Sequence, residues 1–258
     1  MKITQKYMTK SYCYKANQKI TPKGIILHSV GINQPSAEVF QRLFNDPKLE
    51  KSMHGFIDAT TGEIIETLPQ NINGWHVGGS ANKTHLGFEM CEPSQIKYTT
   101  GANFTVSNLS AAQKAAKTTY NAAVEYFASL CKKYGWDPTK KGVILSHSEA
   151  GAQGVGSKHV DPEHLWKGLK LSYTMDGFRK DVKAKMNESI KTETTVKPDD
   201  KVIYRVQIGA FTNKENAKAY VEKAKAKGFV AIYTIDGDIN NDGKVDKKDV
   251  DALSKKIS

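Results

Sequence analysis

Short apolar runs alternate along the chain with longer stretches of helical spacing. Residues 24–30, GIILHSV, form an unbroken apolar run ending in a histidine, the pattern of a strand covered on both faces. SAEVFQRLFN then predicts a Ser-capped helix with Val39, Leu43 and Phe44 on its apolar side. MHGFIDATTGEIIETL predicts a hairpin around Thr-Thr-Gly. In HLGFEMCEP the alternation puts Leu86, Phe88 and Met90 on one face and Gly87, Glu89 and Cys91 on the other, until Pro93 ends it. Residues 110–134 predict a long helix with a core stripe of Ala115, Thr119, Ala122, Ala123, Tyr126, Phe127 and Leu130. GVILSH is a second buried strand, and PEHLWKGL opens a helix with proline in its first turn. Strands separated by helices predict an α/β (α+β) domain over residues 1–180, with a mixed central sheet flanked by helices.

The remainder reads differently. Residues 181–201 are polar and lack aromatics, which predicts a linker whose first half can prolong the last helix. VIYRVQIGAF, NKENAKAYVEKAKAKG and FVAIYTI then predict strand, helix and strand, a small βα-type unit within residues 202–258. Such a unit leaves a sheet edge open, to be closed by a second copy in a homodimer or by the tail. In that tail, DINNDGKVDKKD spaces Asp238, Asn240, Asp242, Asp246 and Asp249 as calcium-loop ligands, with the Lys244 carbonyl as a further one.

Composition narrows the partners. A hydrophobic content of 39% suits a globular chain, and a net charge of +11 suits a polyanion: nucleic acid, anionic lipid or the teichoic acids of a cell wall. No nucleic-acid-binding motif is present, so no nucleic acid partner is expected. No apolar run is long enough to span a membrane, and MKITQKYMTKSYCYK has no apolar core of a secretory signal. Cys13, Cys91 and Cys131 form no CxxC pair, which fits thiols kept in a reducing cytoplasm.

Two aliphatic strands each end in a histidine, His28 and His147, and Asp161 follows 14 residues after the second. Two imidazoles and a carboxylate make a catalytic zinc site with an open fourth position. The plainer alternative leaves His28 a satisfied core histidine and Asp161 a helix cap.

The strand GIILHSVG, the MHGFID…GEI hairpin, GWHVGG, LGFEMCEP and SHSEA…SKHVDPEHLW occur in the order seen in the type-2 N-acetylmuramoyl-L-alanine amidases. The chain resembles this zinc family, which includes peptidoglycan recognition proteins and many phage endolysins, over residues 1–180. The likeness is to the clostridial endolysin and autolysin type. It implies that His28, His147 and Asp161 hold zinc and that Glu89 is the catalytic acid/base, with Glu92 as the nearby alternative. It also implies that His159, where many members have lysine, stabilises the oxyanion. Trp75 and His76, with His54, fall on substrate-cleft positions, although His54 and His85 also suit structural roles; His164 reads as a structural helix residue. The implied reaction is hydrolysis of the amide between N-acetylmuramic acid and L-alanine in peptidoglycan, and the implied partners are its glycan strands and stem peptide. Without a secretory signal, such an enzyme would reach the wall after holin-mediated release or lysis. The rival is a recognition protein that binds peptidoglycan without cutting it. Residues 202–235 resemble half of a SPOR domain, a glycan-binding module, and residues 236–258 resemble half of a dockerin.

Overall fold

The apolar runs assemble into one mixed sheet. The computed structural model describes residues 1–191 and 214–225. In chain order come β1 (Ile3–Gln5), α1 (Tyr12–Ala16), β2 (Gly24–Ser29), α2 (Ala37–Phe44), β3 (Gly55–Ile57), β4 (Ile64–Glu66) and β5 (His85–Met90). There follow β6 (Ile96–Tyr98), β7 (Phe104–Val106), α3 (Leu109–Tyr134), β8 (Ile144–Ser146), α4 (His147–Ala152), α5 (Glu163–Gly168), α6 (Met175–Lys191) and α7 (Lys214–Lys225). Six strands lie in the order β1-β4-β3-β5-β2-β8, and β6 with β7 forms a separate pair. β3, β5, β2 and β8 run parallel, while β3 and β4 make the expected antiparallel hairpin. The fold is α/β, a mixed sheet flanked by helices.

Every residue of β2 is buried, as an unbroken apolar run requires of a strand covered on both faces. The alternation in β5 decides which face does what. Leu86, Phe88 and Met90 enter the main core with Tyr126 and Phe127 of α3. α3 starts where the Asn108 side chain accepts from the Ala111 N–H, and it ends at left-handed Gly135. Its buried stripe runs through Ala112 and Ala116, so Ala115 is only partly buried.

Two expectations need correction. Leu43 is 56% exposed, and α2 instead buries Ala37, Phe40 and Gln41. Phe40 stacks on Phe56 of β3 at 5.2 Å, which turns Leu43 outward. Ser36 makes no side-chain cap; the Asp58 carboxylate accepts the Ala37 N–H instead. The second is the domain end at 180: α6 continues to Lys191, as the reading of the first half of residues 181–201 as a prolonged helix allowed. Phe178 and Val182 are fully buried and Met186 packs beside them, an i, i+4 stripe that holds the helix on the sheet.

The chain divides into two units, residues 1–196 and 197–258. Of the second, α7 coincides with the helix expected there. The strands expected around it and the loop from Asp238 to Asp249 lie outside the described residues. No helix among the described residues is long and apolar enough to cross a membrane.

Candidate metal centre and active site

The carboxyl ends of β2, β5 and β8 converge, the usual place for a site in a parallel sheet. His28 lies near the end of β2, and Glu89 is its register partner on β5. His147 is the first residue of α4, whose start is fixed by a capping box between Ser146 and Glu149. Arg179 grips both Glu149 oxygens at 2.9 Å and the Ile144 carbonyl at 3.0 Å, tying α6 to this corner. Asp161 arrives from the following loop, where its carbonyl accepts the Ser148 N–H at 3.2 Å.

His28 Nδ1 lies 3.1 Å from His147 Nδ1 and 3.2 Å from Asp161 Oδ2. His147 Nδ1 lies 3.4 Å from Asp161 Oδ1. A tetrahedral zinc site, with bonds of about 2.0–2.1 Å, spaces its ligand atoms about 3.3–3.4 Å apart. All three residues are buried, and their donor atoms face one another, so the group fits a divalent cation in both size and chemistry. Burial lowers His28 and favours its neutral form, the form that binds a metal.

Glu89 is only 7% exposed, and its Oε2 has no partner among the described residues. Burial, reinforced by the nearby Asp161 and Glu92 carboxylates, pushes its pKa well above the usual value; Lys51 pulls the other way. Glu92 is not free in the same manner. It accepts from the Gly31 N–H at 3.1 Å and from the Tyr98 hydroxyl at 2.8 Å, and Tyr98 also meets His164 Nε2 at 2.8 Å. His159 lies at the mouth, its side chain 57% exposed, and its ring stacks on His147 with centroids 4.1 Å apart.

The expected cleft residues separate. Trp75 is 47% exposed. His76 and His54 are buried, and for His54 this fits the structural role that the sequence also allowed. His76 packs over Gly87, where an added Cβ would meet its Cγ at 2.3 Å, and its Nδ1 lies 3.0 Å from His28 Nε2. His54 accepts the Gly87 N–H and donates to the Ile72 carbonyl, both at 3.0 Å. Burial lowers its pKa to about 4. Cys91 is buried in an apolar cluster with Met8, Phe40 and Phe56, not at the metal group. Ser157, 3.0 Å from His147 Nε2, has no warning in the sequence; neither does Lys51, whose charge reaches Glu89 and His159. A groove of 560 Å³ opens between Asn33, Ser94, Gln95, Lys97, Thr105 and Ser107. Asn33 and Ser94 follow β2 and β5 at the same sheet end as the metal group.

A mixed sheet gathers two imidazoles, a carboxylate and a desolvated glutamate at one end, a group that can hold a metal ion beside an acid/base. The chain belongs to the N-acetylmuramoyl-L-alanine amidase family, whose model matches residues 17–164. A SPOR domain model matches residues 200–244, running into the first half of the loop read as a calcium site. N-acetylmuramoyl-L-alanine amidase XlyA of Bacillus subtilis strain 168 is 33% identical over 100 residues, 36% of this chain and 33% of that protein. The match thus spans about a third of that relative's length. N-acetylmuramoyl-L-alanine amidase CwlA of the same organism is 23% identical over 270 residues, covering 98% of this chain and 89% of that protein. Among solved structures, the Staphylococcus aureus hydrolase AmiA in complex with its ligand aligns with a TM-score of 0.56 at 20% identity, over 74% of this chain and 86% of that one. At that identity the likeness is one of fold.

Proposed function

We propose that the chain is a zinc-dependent N-acetylmuramoyl-L-alanine amidase that cleaves the amide between N-acetylmuramic acid and L-alanine in peptidoglycan. The convergence of His28, His147 and Asp161, with Glu89 on the same sheet face, carries this reading. A zinc ion on these three ligands supplies a Lewis acid for the amide carbonyl and acidifies water enough for it to react near neutral pH. Glu89 takes the proton from the attacking water and passes it to the leaving alanine nitrogen. Its unpartnered oxygen and raised proton affinity suit a group that must both accept and release a proton. His159 donates a hydrogen bond to the carbonyl oxygen as negative charge develops there. The groove from Asn33 to Ser107 binds the glycan and stem peptide, and exposed Trp75 offers a separate stacking surface.

The wall-directed role we infer is that of an endolysin or autolysin. Support comes from the SPOR match and the net charge of +11, for which teichoic acids are the expected polyanion. In the second unit we keep two finer readings: self-association, and calcium binding by Asp238, Asn240, Asp242, Lys244, Asp246 and Asp249, which rests on ligand spacing alone. Calorimetric titration with calcium tests the latter. The experiment for the enzyme is release of new L-alanine amino termini from purified cell wall, abolished by a chelator and restored by zinc. Binding of muropeptides without amine release would leave only a recognition protein.

A further inference from the structure

Each of the two histidines touches the metal group with one nitrogen and the protein with the other, and both outer contacts lead to the same segment of chain. His76 Nε2 lies 3.1 Å from the His85 carbonyl. A carbonyl cannot donate, so the proton sits on His76 Nε2. A neutral ring with its proton on Nε2 offers Nδ1 as an acceptor. The 3.0 Å contact to His28 Nε2 is therefore donated by His28, and a neutral His28 with its proton there has a bare Nδ1.

The second path has the same logic. The Ser157 hydroxyl donates to the Val77 carbonyl at 3.2 Å, while the Ser157 N–H meets that carbonyl at 2.8 Å. With its hydrogen used, Ser157 Oγ accepts from His147 Nε2 at 3.0 Å. In the neutral ring, a proton on Nε2 leaves Nδ1 of His147 bare as well. Both paths pass through residues 76 and 77, whose two N–H groups share one acceptor, Asn82 Oδ1, at 2.9 and 3.0 Å. Asn82 is itself buried in a 3-10 turn, Ser80–Lys83.

We propose that the segment from Trp75 to Asn82 is a metal-positioning clamp: His76, and Val77 acting through Ser157, lock the outer-nitrogen tautomer of His28 and His147, while Asn82 holds the segment in place. This makes His76, Ser157 and Asn82 positioning residues, and it rests on reading His28, His147 and Asp161 as the metal site. An imidazole fixed in one tautomer and one ring orientation binds without first having to rearrange. The packing of His76 over Gly87 gives the clamp its seat on β5.

Long-range ¹H–¹⁵N NMR of the metal-free full chain at mildly alkaline pH reads the tautomers directly. Both histidines of the wild type should carry the proton on Nε2. Ser157→Ala should give His147 mixed tautomers and leave His28 unchanged; Asn82→Ala should disturb both. Chelator competition on the same samples should show zinc affinity reduced by roughly 10–100-fold in each variant. Should Asn82→Ala not fold, Ser157→Ala alone decides. A wild type that binds zinc with Nδ1 protonated or mixed beforehand overturns the clamp. So does a Ser157→Ala protein with unchanged tautomer and unchanged affinity. A wild type with the expected tautomers and no zinc affinity overturns instead the metal reading beneath it.

Discussion

His28 and Glu89 stand opposite each other in register on the neighbouring parallel strands β2 and β5, so both side chains leave the same face of the sheet. That face is not the one packed on α3, and Glu89 is therefore presented to the metal group from the strand beside it. A glutamate there that is no ligand can be changed without emptying the metal site. Glu89→Gln should lower kcat by about 10²–10⁴-fold with zinc content unchanged, measured by amine release and metal analysis of one preparation. Loss of zinc together with activity would make Glu89 a ligand instead.

Removing the cation should also loosen the fold. Three acceptor groups that face one another within 3.1–3.4 Å repel or must share a proton once nothing bridges them. Binding to the folded state alone adds about 2.7 kcal/mol when free metal is 100-fold above its dissociation constant. A chelator should therefore lower the wild-type Tm in a scanning experiment. Asp161→Ala should start near that lower Tm and be insensitive to the chelator; an equal drop in both proteins would place the effect elsewhere.

The metal group was legible because its parts are marked locally. Two apolar runs end in histidine, and the period-2 pattern of β5 by itself separates Glu89 from Phe88 and Met90. What joins those parts was not legible. Ser157 is ten residues from His147 with no periodic relation to it, and nothing in GWHVGG tells a ring that faces substrate from one that lies beneath a ligand. Gly87 held the available clue: a missing side chain in an otherwise alternating buried strand marks a place where something packs close. His76 occupies it. Leu43 faces outward for a different reason: an eight-residue helix offers two apolar edges, and only the stacking of Phe40 on Phe56 selects one.

The end of the first unit can be tested by truncation. Val182 is fully buried in the main core, and Asp181 accepts from the Tyr120 hydroxyl at 2.7 Å. Both lie beyond 180, in the polar stretch without aromatics whose first half the sequence allows to prolong the last helix. Burial of a valine side chain contributes about 1.5–3 kcal/mol, and the hydrogen bond about 1 more. A fragment of residues 1–191 should exceed one of residues 1–180 by at least about 2 kcal/mol in urea unfolding. Equal midpoints and slopes would mean that the second half of α6 adds nothing.

Glu92 provides a pH test that is separate from catalysis. It is fully buried, and burial is the main cause that raises its pKa from 4.5 to about 7, against the hydrogen bonds from Tyr98 and Gly31. Between these values the folded chain holds a proton that the unfolded chain has lost. The contribution is thus fully present below pH 4.5 and disappears as pH rises through about 7. His54 acts in the opposite sense: with its pKa lowered from 6.5 to about 4, its contribution is present above 6.5 and lost on acidification. The total pH dependence of stability also sums over Glu163, raised to about 7 by burial, and other buried groups, so only a difference between two proteins isolates Glu92. Glu92→Gln removes its share. Relative to wild type, the variant should gain about 3 kcal/mol on going from pH 4.5 to pH 8, since one pKa unit corresponds to about 1.4 kcal/mol. Urea midpoints at a series of pH values check this, and a pH-independent difference between the two proteins would mean that Glu92 titrates normally.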